Sequence, residues 1–369
     1  MGGRNEREIK AIYVLVLLIF ALFLAAPVIR LLMESAVTET GLGAGNYIEV
    51  LTGRGFLRAL GNSVTVSVCS AAIATTLAFI LAYSIQYTNI RPKGKQLIRL
   101  LAVLPMLLPT ITYGFAIIYS FGKQGLITRL LGRQLFDIYS FFGLMVGYVI
   151  YTIPVAFLLI HNTMGFVDKK TLTVSKVMGD KALSTFWIAV LRPLLGTFAG
   201  AFIQAFFLCF TDFGIPASVG GGYEVIATLL YNQMLGGIPD FNRGAVIAMV
   251  MLIPSIGSIC ILQLLERFNI RYTRISQADL RKNPLRDTGW GVSSTVISVA
   301  ILSIFAVIFV VPLVEEWPYQ TSFSLEHFAA VFTDSELITV YWHSLVMALL
   351  TAFLGTLAAY GAALITARS

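Results

Sequence analysis

Eight separate runs of about 20 apolar residues constrain this chain more than any other feature. They lie at 11–33, 62–85, 100–121, 139–160, 193–213, 244–264, 292–314 and 343–365. A hydrocarbon core ~30 Å thick is crossed by about 20 helical residues at ~1.5 Å each. In a soluble fold the same residues would be spread at helical or strand periods instead of gathered in blocks. Of 369 residues, 57% are hydrophobic and 12% charged, and that charged share is about half of what a soluble domain carries. The expectation is an all-α, polytopic helical membrane protein. No small-residue cleavage site follows the first run, so it reads as a retained span and not as a signal peptide.

The formal net charge of +7 does not indicate nucleic-acid binding, because the basic residues stand in short loops beside the apolar runs, where they orient a membrane protein. With the amino terminus inside, inner segments hold 19 of the 26 Lys and Arg. The loop with Lys123, Arg129 and Arg133 alone runs against this. The last outer loop, 315–342, has five carboxylates and no Lys or Arg. Both ends inside is the consistent orientation. Cys69, Cys209 and Cys260 each sit within an apolar run and form neither a metal spacing nor a disulfide framework. His161, His327 and His343 are scattered. No catalytic residue, metal site or cofactor is expected in this chain. Pro105, Pro109 and Pro154 interrupt the third and fourth runs, a break tolerated where neighbouring helices satisfy the freed carbonyls.

Shifting the chain by 281 places Tyr47, Val50, Thr52, Ser63, Ala71, Thr75, Ala78 and Ala82 on Phe328, Val331, Thr333, Ser344, Ala352, Thr356, Ala359 and Ala363, and seven of these eight pairs are identical. The repeat divides the chain into a first set of six spans, 1–285, and the first two spans of a second, 286–369. A chain of one and a third repeats is expected to be a piece of a protein of about twelve spans; the other reading is that eight spans are complete.

The inner loop at about 163–193 carries the functional signal. Val174, Val177, Met178, Ala182 and Phe186 lie at helical spacing on one face, with Gly179 at the centre. An amphipathic inner segment of this kind lies on lipid or meets an apolar partner. The loop resembles the coupling loop of binding-protein-dependent ABC permeases, which reads Glu-Ala-Ala, three residues, Gly, about nine residues, then a hydrophobic residue and Leu-Pro. Thr173, Val174 and Ser175 stand at the Glu-Ala-Ala positions, Gly179 at the glycine and Leu191 at the leucine, while Arg192 takes the proline position and Pro193 follows one residue late. Asp168 and Phe186 also fit. The 104–109 stretch and Phe-Thr-Asp-Phe-Gly-Ile-Pro at 210–216 resemble segments of the branch that includes ferric-iron and aminoethylphosphonate permeases, whose two halves are commonly fused.

The resemblance implies a type I ABC importer permease fold and an inner-membrane, multi-pass location. It implies a separate ATPase subunit dimer that docks on this loop and holds ATP and Mg, an extracytoplasmic solute-binding protein, and membrane lipid as surroundings. The chain contains no G-x-x-x-x-G-K-S/T sequence, in keeping with hydrolysis elsewhere. Ferric iron or a phosphonate is the implied cargo. An ion-coupled secondary transporter is the rival reading, but it wants charged or broken helices at the midplane of both halves, and these runs are almost free of charge. An integral membrane enzyme would need clustered His, Asp, Glu or Cys at one face. Asp212, at the end of the fifth run, is expected to be either a solvated helix end or a group on the translocation path.

Overall fold

The computed structural model describes residues 12–38, 41–266 and 282–368. The basic amino-terminal segment, Ala11 and most of the loop between the sixth and seventh predicted spans lie outside the described residues. The chain begins with α1 (Ile12–Ala36), a small hairpin β1 (Val37–Thr38) and β2 (Gly41–Leu42), and α2 (Gly45–Thr52). Next come α3 (Arg54–Gln86), α4 (Pro92–Val103), α5 (Thr110–Phe121), α6 (Leu126–Leu131) and α7 (Phe141–Gly165). There follow α8 (Lys170–Val177), α9 (Ala182–Phe186), α10 (Arg192–Thr211), α11 (Gly214–Val219), α12 (Ile226–Leu235) and α13 (Phe241–Glu266). The described chain closes with α14 (Pro284–Val310), a second hairpin β3 (Val314–Glu316) and β4 (Gln320–Phe323), α15 (Glu326–Thr333) and α16 (Ser335–Arg368).

Among the described residues seven helices are long and apolar enough to cross a membrane, and eight if one bent pair is a single span. That pair is the third predicted run. The interruption expected at Pro105 and Pro109 is present and sharp: α4 passes through a 3₁₀ turn, Leu104–Leu107, and the segment from Thr110 to Leu131 leaves at 107° to it. Two prolines four residues apart account for the break. Neither supplies an N–H, and Leu108, held before Pro109, is extended at φ −101°, ψ 142°. The Pro105 carbonyl is satisfied by the Leu108 amide and the Tyr113 hydroxyl. Pro154, in contrast, sits inside an unbroken α7.

Contacts divide the chain into two units, Ile48–Val311 and Met1–Tyr47 with Pro312–Ser369. In the first, the core forms where α3, α7 and α10 pack. The buried side of α3 is built from Ser63, Ser67, Ser70, Ala71, Ala74, Ala78 and Ala82, small residues that let helix backbones approach closely. Phe157, Tyr148, Leu144 and Ile160 of α7 fill the space opposite. In the second unit, Gly361 of α16 faces α1 so closely that a Cβ there would stand 2.9 Å from Val16 Cγ2.

The 281-residue shift also carries the bounds of α2 onto α15 and the start of α3 onto α16. A short antiparallel hairpin precedes each short helix. Ser63, Ala71, Ala78 and Ala82 are buried on α3, whereas Ser344, Ala352, Ala359 and Ala363 are exposed on α16.

Candidate functional site

The segment between α7 and α10 folds as two short helices across a sharp turn. Val167 is buried in the core just beyond α7. Asp168 then starts α8. Its Oδ1 accepts the Lys170 amide at 3.0 Å, and its carbonyl accepts the Thr171 hydroxyl at 2.7 Å. A carboxylate suits this place because the first amides of a helix have no carbonyl partner. The helix stops at Gly179, whose φ of +85° is a left-handed conformation that side chains with a Cβ rarely adopt. The Asp180 amide reaches back to the Ser175 carbonyl at 3.1 Å, the bond by which a glycine-terminated helix satisfies its last carbonyls.

Ser175 also ties the two helices together. Its hydroxyl lies 2.5 Å from Asp180 Oδ2 and 3.0 Å from Thr185 Oγ1, with Ser175 and Thr185 both buried. From α9 the chain continues through a π-helical turn, Trp187–Leu191, into α10. Pro193 lacks an N–H, and its ring crowds the carbonyl four residues back, which favours the wider turn. Ala182–Thr211 is therefore one 30-residue helical run, ~45 Å long.

The sequence reading placed Phe186 on the same face as Val174, Val177 and Met178, and the structure corrects this. Phe186 turns inward against Phe79 and Tyr83, with ring centroids 6.2 and 5.7 Å away. Trp290 of α14 packs on the same two rings. The exposed apolar surface consists of Val174, Val177, Met178 and Leu183, the last three about four-fifths exposed. Leu183 was missed because a single helical period was carried across the turn. Thr173 is exposed, and Ala182 is exposed beside Leu183. Lys169 stands away from this surface, half-buried with its Nζ 5.6 Å from the Tyr87 ring centroid. Burial there lowers its pKa from the usual lysine value.

Asp212 lies at the other end of the α9–α10 run. It is buried, which goes against the first of the two alternatives, a solvated helix end. Its Oδ2 accepts the Ile215 amide at 3.0 Å, and the Thr110 hydroxyl and Gly214 amide are further hydrogen-bond partners. A Cβ on Gly214 would come within 2.7 Å of the Ile111 amide nitrogen, so α11 and the start of α5 meet backbone to backbone. Asp212 thus caps α11 at the point where the bent span resumes. Among the described residues no three His, Cys, Asp or Glu side chains gather as a metal site.

A crystal structure of a bacterial alginate ABC transporter, in complex with an alginate pentasaccharide-bound periplasmic protein, contains a chain that superposes with a TM-score of 0.57 at 14% identity. The match covers 74% of this chain and 98% of that one. The chain has the fold of an ABC-transporter membrane permease.

Its sequence relatives are ABC permeases as well. A ferric transport system permease protein of Haemophilus influenzae, FbpB 1, is 22% identical over 97% of this chain and 59% of its own length. The ferric transport permease FbpB of Actinobacillus pleuropneumoniae is 23% identical over 95% and 53%. The spermidine/putrescine permease PotC of Escherichia coli is 22% identical over 62% and 85%. The chain thus spans a little over half the length of its ferric-transport relatives. No family model matches it.

Proposed function

We propose that this chain is the membrane-spanning permease part of an ATP-driven importer and that the α8–α9 hairpin is its docking element for a separate ATPase subunit. The observation that carries the reading is an exposed apolar cluster on a rigid base. Val177, Met178 and Leu183 are exposed, while Ser175, Thr185 and Phe186 lock the backbone beneath them. An exposed patch of this kind marks an interaction surface. An ATPase dimer would hold the nucleotide and its Mg, and a solute-binding protein on the far side would deliver the cargo. The names of the two ferric-transport relatives support ferric iron as the cargo over a phosphonate. The positions of Lys and Arg support a cytoplasmic amino terminus in the cell membrane.

The mechanism follows from continuity of the helix. A push on the hairpin acts on α9, which runs into α10 through one π-helical turn with no break in the helix, and α10 ends where Asp212 holds α11 against α5. Displacement at the inner surface would then be delivered to the broken span, where Pro105 and Pro109 remove helical N–H donors that would resist a change of angle. In this reading Asp212 is a brace for the moving part more than a ligand for cargo. The matching bounds of α2–α3 and α15–α16 support 286–369 as the start of a second repeat.

The test is co-purification with the ATPase together with uptake. Gly179→Glu places a charge and a Cβ at a left-handed position, and Val177→Asp places a charge in the apolar patch. Both are expected to insert normally, to recover little ATPase and to transport poorly. Lys169→Gln is expected to bind its partner. Normal transport by Gly179→Glu with its ATPase still attached would remove this hairpin from the mechanism.

A further inference from the structure

A second feature lies at the start of α4 and α14, and it does not rest on the transport reading. A groove of about 430 Å³ runs between the two helices, lined by Ile90, Leu97, Val292 and Val296. Gly94 and Gly291 form part of its wall. A Cβ at Gly291 would stand 3.4 Å from Ile90 Cδ1, and one at Gly94 would stand 3.0 Å from Ile90 Cγ2, so both glycines keep the groove open. The Thr295 hydroxyl is spent on the Gly291 carbonyl at 2.8 Å, and apart from Thr288 the rest of the wall is apolar.

Two cations stand on the short stretch of chain between the groove-lining Ile90 and Gly94. Arg91 is the N-cap of α4 and Lys93 stands in its first turn; both are exposed. α14 starts nearby, but its amino terminus is already answered by the Asn283 side chain, which accepts the Arg286 amide at 3.2 Å, and by Asp287 in its first turn; the positive end without a side-chain cap is that of α4. Among the described residues Asp287 is a carboxylate close to this end, and it is already engaged. Its Oδ1 accepts the Asn89 amide at 3.1 Å and Arg286 Nε at 2.9 Å, and its Oδ2 accepts the Asn283 amide at 3.2 Å. Those bonds tie the 87–91 loop to the start of α14, setting the spacing of the groove mouth.

We propose that this groove binds one anionic phospholipid, with an acyl chain between α4 and α14 and the headgroup phosphate at Arg91, Lys93 and the first amides of α4. Charge complementarity selects this occupant. An apolar helix of a partner protein would fill the groove but would leave the two cations and the α4 terminus unanswered, whereas an anionic lipid satisfies both. Each cation near the bilayer surface favours an anionic headgroup by about fivefold. Helix amino termini bind phosphate for the same electrostatic reason.

The experiment is native mass spectrometry of the full chain released from nanodiscs of equal phosphatidylglycerol and phosphatidylcholine. The wild-type protein is expected to retain phosphatidylglycerol over phosphatidylcholine by about tenfold or more. Arg91→Gln with Lys93→Gln should bring the two lipids near parity, while Lys123→Gln, at the far side, should leave the preference unchanged. Val292→Trp, which fills the groove from its exposed rim, should lower retention of both lipids. Equal retention by the wild type, a preference that survives the double Gln change, or undiminished lipid on Val292→Trp would each overturn the assignment. Unchanged melting temperatures for the Gln variants separate loss of lipid from loss of fold.

Discussion

At the level of single residues, Gly179 and Ser175 show two kinds of constraint on one hairpin. A Cβ at Gly179 would meet nothing within 4 Å, so the restriction is conformational: a left-handed residue with a side chain costs about 1–2 kcal/mol. Gly179→Ala is therefore expected to weaken ATPase recovery only mildly, much less than Gly179→Glu, when both are pulled down in parallel. Ser175 acts through bonds. Ser175→Ala removes its links to Asp180 and Thr185 and leaves the buried Thr185 hydroxyl short of a partner, a loss of about 1–3 kcal/mol. Limited proteolysis should then cut the 170–186 segment faster while α7 and α10 stay protected; unchanged cleavage would mean that Phe186 alone anchors the hairpin.

Among the elements, the junction of α10, α11 and α5 is where two roles for Asp212 can be separated. As a cap it needs an oxygen acceptor and not a charge. Asp212→Asn is expected to keep most of the thermal stability in detergent, and Asp212→Ala to lose about 0.5–2 kcal/mol. If Asn abolishes uptake with an unchanged melting curve, the charge itself is required and Asp212 belongs to the path. The bent span follows the same division between local cause and tertiary outcome. Pro105 and Pro109 dictate that the helix must break, but 107° is set by what α5 packs against. Gly114 lies against Ser218 of α11, Gly147 of α7 admits Ile117, and Tyr113 packs on Phe305 of α14 at 5.3 Å.

For the whole molecule, orientation is the property that everything else hangs on. Inner segments with 19 of 26 Lys and Arg should face the cytoplasm. A reporter fused after Arg286 is expected to be cytoplasmic and one after Glu326 to be outside, read by paired alkaline phosphatase and fluorescent-protein activity. The reversed pattern would put the α8–α9 hairpin on the wrong side for an ATPase and end the importer reading.

The spans were legible in the sequence because a membrane helix answers to a one-dimensional rule: about 20 apolar residues per crossing, wherever they pack. The same holds for the turn at Gly179 and the break at Pro109, which are properties of the backbone at those residues. Facing directions were not legible beyond the next turn. A single helical period puts Phe186 with Val177, but Gly179 resets it, and only the packed structure shows Phe186 edge-on against the contacting Phe79 and Tyr83 rings while Leu183 takes the exposed place. Asp212 reads locally as a helix end that could be wet or dry. Its burial was decided by Thr110 and Gly214, about a hundred residues from one another in sequence. The sequence fixes local conformation and membrane insertion because both depend on neighbours along the chain. Which side of each helix is buried depends on neighbours in space, and those the fold alone supplies.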